Sequence, residues 1–147
     1  MLDQVTQLAA AEGLDYDYDA VRHTKTLKAH EVLHLARTKG VQLDVVEKLF
    51  SAYFEQGRHV GHDEDLVAIA AEAGLDADEV RTALAEGTYR PAVQQDIAQA
   101  QAYGINGVPF YVIDNRYGVS GAQAPETFAQ VLRKVAEERA AASEGVR

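Results

Sequence analysis

The chain has 147 residues, is 47% hydrophobic and 25% charged, and carries a net charge of −9 with no cysteine and no tryptophan. This length and composition suit one soluble globular domain with room for a core. The acidity argues against nucleic acid or an anionic membrane as partner, and the missing thiols exclude disulfides, thiolate metal sites and cysteine nucleophiles.

No apolar run reaches the roughly 18–20 residues of a bilayer span. The N-terminus has no signal-peptide pattern, so the expected compartment is the cytoplasm.

The first two-thirds read as successive helices. Leu2, Val5, Leu8 and Ala9 recur at helical spacing up to Gly13, and a Tyr/Asp-rich loop follows from Asp15 to Asp19. Leu27, Val32, Leu33, Leu35 and Ala36 predict a second helix, with Thr24 or Thr26 as N-cap and Gly40 as its stop. A third carries the most aromatic stripe (Val45, Val46, Leu49, Phe50, Tyr53, Phe54) and ends at Gly57.

His62-Asp63-Glu64-Asp65 places acids where a fourth helix starts, complementing its positive terminus. That helix (Leu66, Ile69, Ala70, Ala73) closes at Gly74. Asp76 caps a fifth (Val80, Leu84, to Gly87), and Pro91 suits the first turn of a sixth through Val93, Ile97 and Ala100 to Gly104.

Beyond Gly104 the pattern changes. Phe110 to Ile113 is an apolar run of strand length, Asp114-Asn115-Arg116 a turn, and Tyr117 to Ser120 an antiparallel return. Pro125 opens a last helix (Phe128, Val131, Leu132, Val135) that is expected to fray from about Ala140.

Five segments carry a family likeness: Ala11 to Tyr16, His30 to Leu35, Leu49 to Phe54, Ala70 to Leu75, and Gly104 to Gln123. Gly107-Val108-Pro109-Phe110 and Gly118-Val119-Ser120-Gly121-Ala122-Gln123 are the most specific. On these residues the whole chain resembles the DsbA-like thioredoxin oxidoreductases, most closely the FrnE-type dithiol-disulfide isomerases.

The resemblance implies a mostly α chain: an inserted all-helical domain over residues 1–103, then a β-hairpin and terminal helix over 104–147 that form the C-terminal half of a thioredoxin fold. It implies a cis Val108-Pro109 bond, with Gly107, Val108 and Pro109 positioning an extended polypeptide substrate. A strand–helix–strand unit bearing Cys-x-x-Cys would precede residue 1. The chain is therefore expected to be the C-terminal portion of such an enzyme, redox-inactive alone, with no catalytic residue, metal or cofactor of its own. A hairpin missing its neighbouring strand has an open edge, which predicts a homodimer or swapped assembly through it.

His30-Glu31-Val32-Leu33-His34 fits His-Glu-x-x-His, which on a helix turns two imidazoles to one face for zinc, with the glutamate as general base. A zinc-dependent hydrolase is thus the alternative function. Against it, Arg37-Thr38-Lys39-Gly40 follows where a third ligand would be sought, and Glu47, Glu55, His59 and His62 would serve only if the fold brought them near. The competing structural reading packs one or both histidines among Leu27, Leu33 and Leu35. A glutathione-dependent isomerase branch of the same fold, such as the 2-hydroxychromene-2-carboxylate isomerases, is a further alternative. Its nucleophile would also lie in the upstream segment.

The loop Arg58 to Asp63 reads mainly as a cap for the next helix. The Asp15/Asp17/Asp19 cluster lacks the central glycine and twelfth-position glutamate of a calcium loop and reads as a solvated turn.

Overall fold

The structure is a computed structural model that describes residues 2–144. Met1 and the last three residues of the expected C-terminal unit lie outside the described residues. Among the described residues, seven helices and one two-stranded sheet follow in the order α1 (Leu2–Ala11), α2 (Leu27–Lys39), α3 (Gln42–Phe54), α4 (Asp63–Glu72), α5 (Ala77–Glu86), α6 (Arg90–Ala102), β1 (Phe110–Ile113), β2 (Tyr117–Ser120) and α7 (Pro125–Glu144). The fold is mostly α. Its residues group into two compact units, divided within α6 between Ile97 and Ala98.

In the first unit, α2 to α5 enclose one core. Val32, Leu35, Ala36, Val45, Leu66, Ile69, Ala70 and Val80 are almost wholly buried. Helix starts and stops follow local chemistry. Asp76 accepts the Glu79 backbone N–H at 2.8 Å and so caps α5. Gly40 and Gly87 end α2 and α5 in the left-handed region, where a side chain would be strained. Thr26 occupies the N-cap position of α2 and His62 that of α4, but neither side chain makes a capping hydrogen bond.

Helix α1 forms at the predicted place, yet Leu2, Val5 and Leu8 are exposed and only Ala9 is buried. The Tyr/Asp loop is more than a solvated turn. Tyr16 stacks on Phe54 with ring centroids 4.7 Å apart, and Asp17 Oδ1 accepts the backbone N–H groups of Asp19 and Ala20. Gly57 lets this loop close: a Cβ there would lie 2.7 Å from the Ala20 Cβ, and its φ is +60°.

In the second unit, β1 and β2 pair antiparallel in the register Phe110↔Ser120 to Ile113↔Tyr117. Asp114 (φ 55°) and Asn115 (φ 53°) both take positive φ, and the Arg116 N–H returns to the Ile113 carbonyl at 3.2 Å. Two positive-φ residues in succession make a turn whose twist matches that of the strands it joins. Helix α7 continues to Glu144 rather than fraying from Ala140. Three consecutive alanines are strong helix formers, and Ser143 Oγ donates to the Ala140 carbonyl at 2.7 Å.

Side chains tie α7 to the hairpin. Tyr111 meets Phe128 edge to face at 4.9 Å, the Tyr117 hydroxyl donates to the Glu138 carboxylate, and the Arg139 guanidinium donates to Asp114. Arg139, aided by Arg116, holds the Asp114 carboxyl below its ordinary pKa. In the first unit, Arg81 does the same for Glu64.

A depressed folded-state pKa adds stability above the unfolded-state value, about pH 4, and that stability is lost as the pH falls through the folded values. Arg139→Gln should therefore lower the thermal midpoint at pH 7 and lower it less near pH 2.5. Melting curves by circular dichroism at the two pH values check this, and an equal loss at both would remove the ion pair as the cause.

Candidate functional site

The loop between α6 and β1 presents the three predicted substrate-positioning residues together. Gly104 ends α6 at φ +69°, and the Ile105 N–H bonds back to the Ala100 carbonyl at 3.0 Å, which turns the chain out of the helix. Gly107, Val108 and Pro109 follow as exposed backbone. The Val108-Pro109 peptide bond is cis.

Pro109 stands immediately before β1, where its missing N–H removes no rung of the ladder. Its carbonyl accepts the Gly121 N–H at 2.8 Å and carries the hairpin pairing one step past the strand end. The Val108 side chain is 91% exposed, and a Cβ added at Gly107 would meet nothing within 4 Å. Beneath the strand, Gly118 is needed for close approach, because a Cβ there would lie 2.8 Å from the Phe110 ring.

Among the described residues, β1 pairs with β2 alone, so its other edge is unpaired. This surface offers backbone donors and acceptors beside an apolar side chain. Gly107, Val108 and Pro109 themselves carry no side-chain nucleophile, acid or base.

The His-Glu-x-x-His segment lies on α2, as predicted, but its three side chains are employed separately. His30 lines an apolar cleft of about 250 Å³ with Leu33, Phe50 and Tyr53. Glu31 is buried, with Arg90 Nε 3.5 Å from its Oε1. His34 Nε2 pairs with Asp96 Oδ2 at 2.8 Å. No third ligand joins His30 and His34 among the described residues, and Glu47 and Glu55 do not converge on them.

The described residues contain one other grouping of ligand type: His59, His62 and Asp65, with donor atoms within 4.8 Å of one another. The two imidazoles lie face to face, 3.6 Å between centroids and 9° from parallel. Their in-plane lone pairs therefore run side by side instead of converging on an ion at about 2.0–2.1 Å. His59 Nδ1 already accepts the Gly61 N–H at 3.1 Å. Neither histidine set forms a ready zinc centre.

A family model described as the DsbA-like thioredoxin domain matches residues 1–133. The chain belongs to the DsbA-like thioredoxin family. In structure the chain is similar to a probable DsbA oxidoreductase, SCO1869 from Streptomyces coelicolor, with 41% sequence identity and a TM-score of 0.84 over 92% of this chain. A curated relative, the uncharacterized protein YwbO of Bacillus subtilis (strain 168), is 25% identical over 130 residues, or 87% of this chain. The chain spans 59% of the first and 64% of the second.

The burial of Glu31 was not foreseen from the sequence. A signal for it existed: Glu31 lies one helical turn before the buried Leu35, on the same face of α2. No helix among the described residues is long and apolar enough to cross a membrane.

Proposed function

We propose that this chain is the substrate-positioning part of a FrnE-type thiol–disulfide oxidoreductase or isomerase that acts on polypeptide dithiols and disulfides, without redox activity of its own. The observation that carries this reading is the exposed Gly107-Val108-Pro109 backbone beside the unpaired edge of β1. Polypeptides dock on such edges by adding a strand: main-chain hydrogen bonds supply affinity, and alternate side chains supply selectivity. The chain has no cysteine, so a Cys-x-x-Cys unit must come from outside residues 1–147. With a net charge of −9, nucleic acid and an anionic membrane are not the partners proposed.

The test is to assay insulin disulfide reduction by the chain alone and by the chain fused behind a strand–helix–strand unit bearing Cys-x-x-Cys. The chain alone should match the buffer rate, and the fusion should turn over. A fusion that folds and still matches buffer would sink the proposal.

The same open edge supports a homodimer or swapped assembly through the hairpin, since unpaired strand edges recruit another chain. Sedimentation equilibrium at micromolar concentration should give twice the chain mass. A monomer there ends the dimer reading without touching the docking one.

A further inference from the structure

The chain has two asparagines, Asn106 and Asn115. Both are exposed, so access to water does not separate them. The residue that follows each, and the bonds each already makes, do. Asn106 lies outside helix and strand, between α6 and β1. Its carboxamide has no hydrogen-bond partner among the described residues, whereas Asn115 Oδ1 accepts the Tyr103 hydroxyl at 3.1 Å.

The backbone nitrogens that follow differ in the same way. Gly107 comes after Asn106: its N–H meets no backbone carbonyl among the described residues, and a Cβ built there would have nothing within 4 Å. Arg116 comes after Asn115, and its N–H is already engaged by the Ile113 carbonyl at 3.2 Å. An asparagine carboxamide is an electrophile within reach of the next residue's backbone nitrogen. That reaction is intramolecular, so its rate depends on how often nitrogen and carbon reach the attacking geometry. Hydrogen bonds on either group hold them away from it, and glycine, with the widest backbone freedom, lets them reach it.

We propose that Asn106-Gly107 is a site of self-modification, at which the Asn106 carboxamide becomes a carboxylate through a succinimide. Solvent base removes the Gly107 amide proton and the Gly107 nitrogen bonds to Asn106 Cγ. The Cγ–Nδ2 bond then breaks, and Nδ2 leaves as ammonia with a proton returned from solvent. Water opens the ring. Attack at the side-chain carbonyl leaves aspartate; attack at the main-chain carbonyl leaves isoaspartate, whose backbone runs through Cβ and Cγ. Water is consumed, ammonia is released, and no atom changes oxidation state. On the docking reading of this loop, the product sets a negative charge, and as isoaspartate a longer backbone, directly before Gly107 to Pro109. The modification itself does not rest on that reading.

The experiment is incubation of the full chain at body temperature in mildly alkaline and in mildly acidic buffer, followed by peptide mass spectrometry. Electron-transfer fragmentation locates the change and separates isoaspartate from aspartate. The expected result is the mass gain of amide-to-acid exchange at Asn106, faster in the alkaline buffer, with isoaspartate the larger product. Conversion at Asn115 should be at least about tenfold slower. Gly107→Ala, where the added methyl group has room, should slow conversion at Asn106 by at least about tenfold. If that variant does not fold by circular dichroism, Asn106→Gln replaces it; its longer side chain must close a larger, slower-forming ring, and position 106 should then stay unchanged. The proposal is overturned if Asn106 keeps its amide, if Asn115 converts as fast, or if the folded variant converts at the parent rate.

Discussion

Replacing Ile69 by alanine is expected to destabilise the first unit by about 2–5 kcal/mol, the usual cost of removing most of a large buried aliphatic side chain. Ile69 is completely buried, among Leu66, Ala70, Val45 and Val80 in the cluster that α2, α3, α4 and α5 share. Ala70 is itself fully buried and small, so the neighbourhood has little side chain with which to fill the space. A domain is stable by only about 5–15 kcal/mol, so this one change removes a large part of the margin. Ile69→Val, which removes a single methyl, should cost about 0.5–1.5 kcal/mol. Urea unfolding followed by circular dichroism at 222 nm measures both. A loss below about 1 kcal/mol for the alanine variant would mean that the core collapses around the cavity or that Ile69 is not central to it.

What the sequence disclosed depended on whether the controlling interaction was local. The hairpin was legible because Asp114 and Asn115 are residue types that tolerate positive φ between two runs of strand composition. Gly40, Gly74 and Gly87 were legible as helix ends for the same reason. Periodicity placed α1 and α3 but could not say what covers their apolar faces. Leu2 and Leu8 are exposed, and so is Phe50 on the aromatic stripe of α3. A moment along a helix identifies a face, whereas burial depends on what another part of the chain lays over it.

The histidine motif shows this limit most clearly. Spacing of four puts His30 and His34 on neighbouring positions of one helix, as zinc ligation requires. Their fates were decided by partners far along the chain: Asp96, sixty-two residues on, takes His34, and Phe50 and Tyr53 of α3 form the cleft beside His30. Glu31 was read as a candidate general base, and its burial went unread because a charged residue is taken as solvent-facing. Its place one helical turn before the buried Leu35 is the local mark of that burial. The Gly107–Pro109 loop was read from resemblance. Its exposure follows from Gly104 ending α6 and from Pro109 standing at the start of a strand.

Val108→Asp, made in the chain fused to a Cys-x-x-Cys unit, should lower kcat/KM toward a polypeptide disulfide by about 10–100-fold, or about 1.4–2.7 kcal/mol of transition-state binding. The Val108 side chain is 91% exposed, so the folded state gives up little when it changes; surface substitutions usually lie within about ±0.5 kcal/mol. A docked polypeptide strand would cover that side chain. An aspartate would then have to shed its water against the substrate backbone without a guaranteed partner, and that desolvation is the source of the loss. The chain already carries a net charge of −9, so the added charge also slows encounter with acidic substrates. Val108→Ala, which trims contact without adding charge, should fall by a few-fold at most. A small disulfide such as oxidised dithiothreitol makes no strand contact and should react with the Val108→Asp protein within about threefold of the parent rate, which separates a docking defect from damage to the cysteine pair. Equal losses on both substrates would place the defect at the cysteines, and no loss on either would remove Val108 from the docking surface.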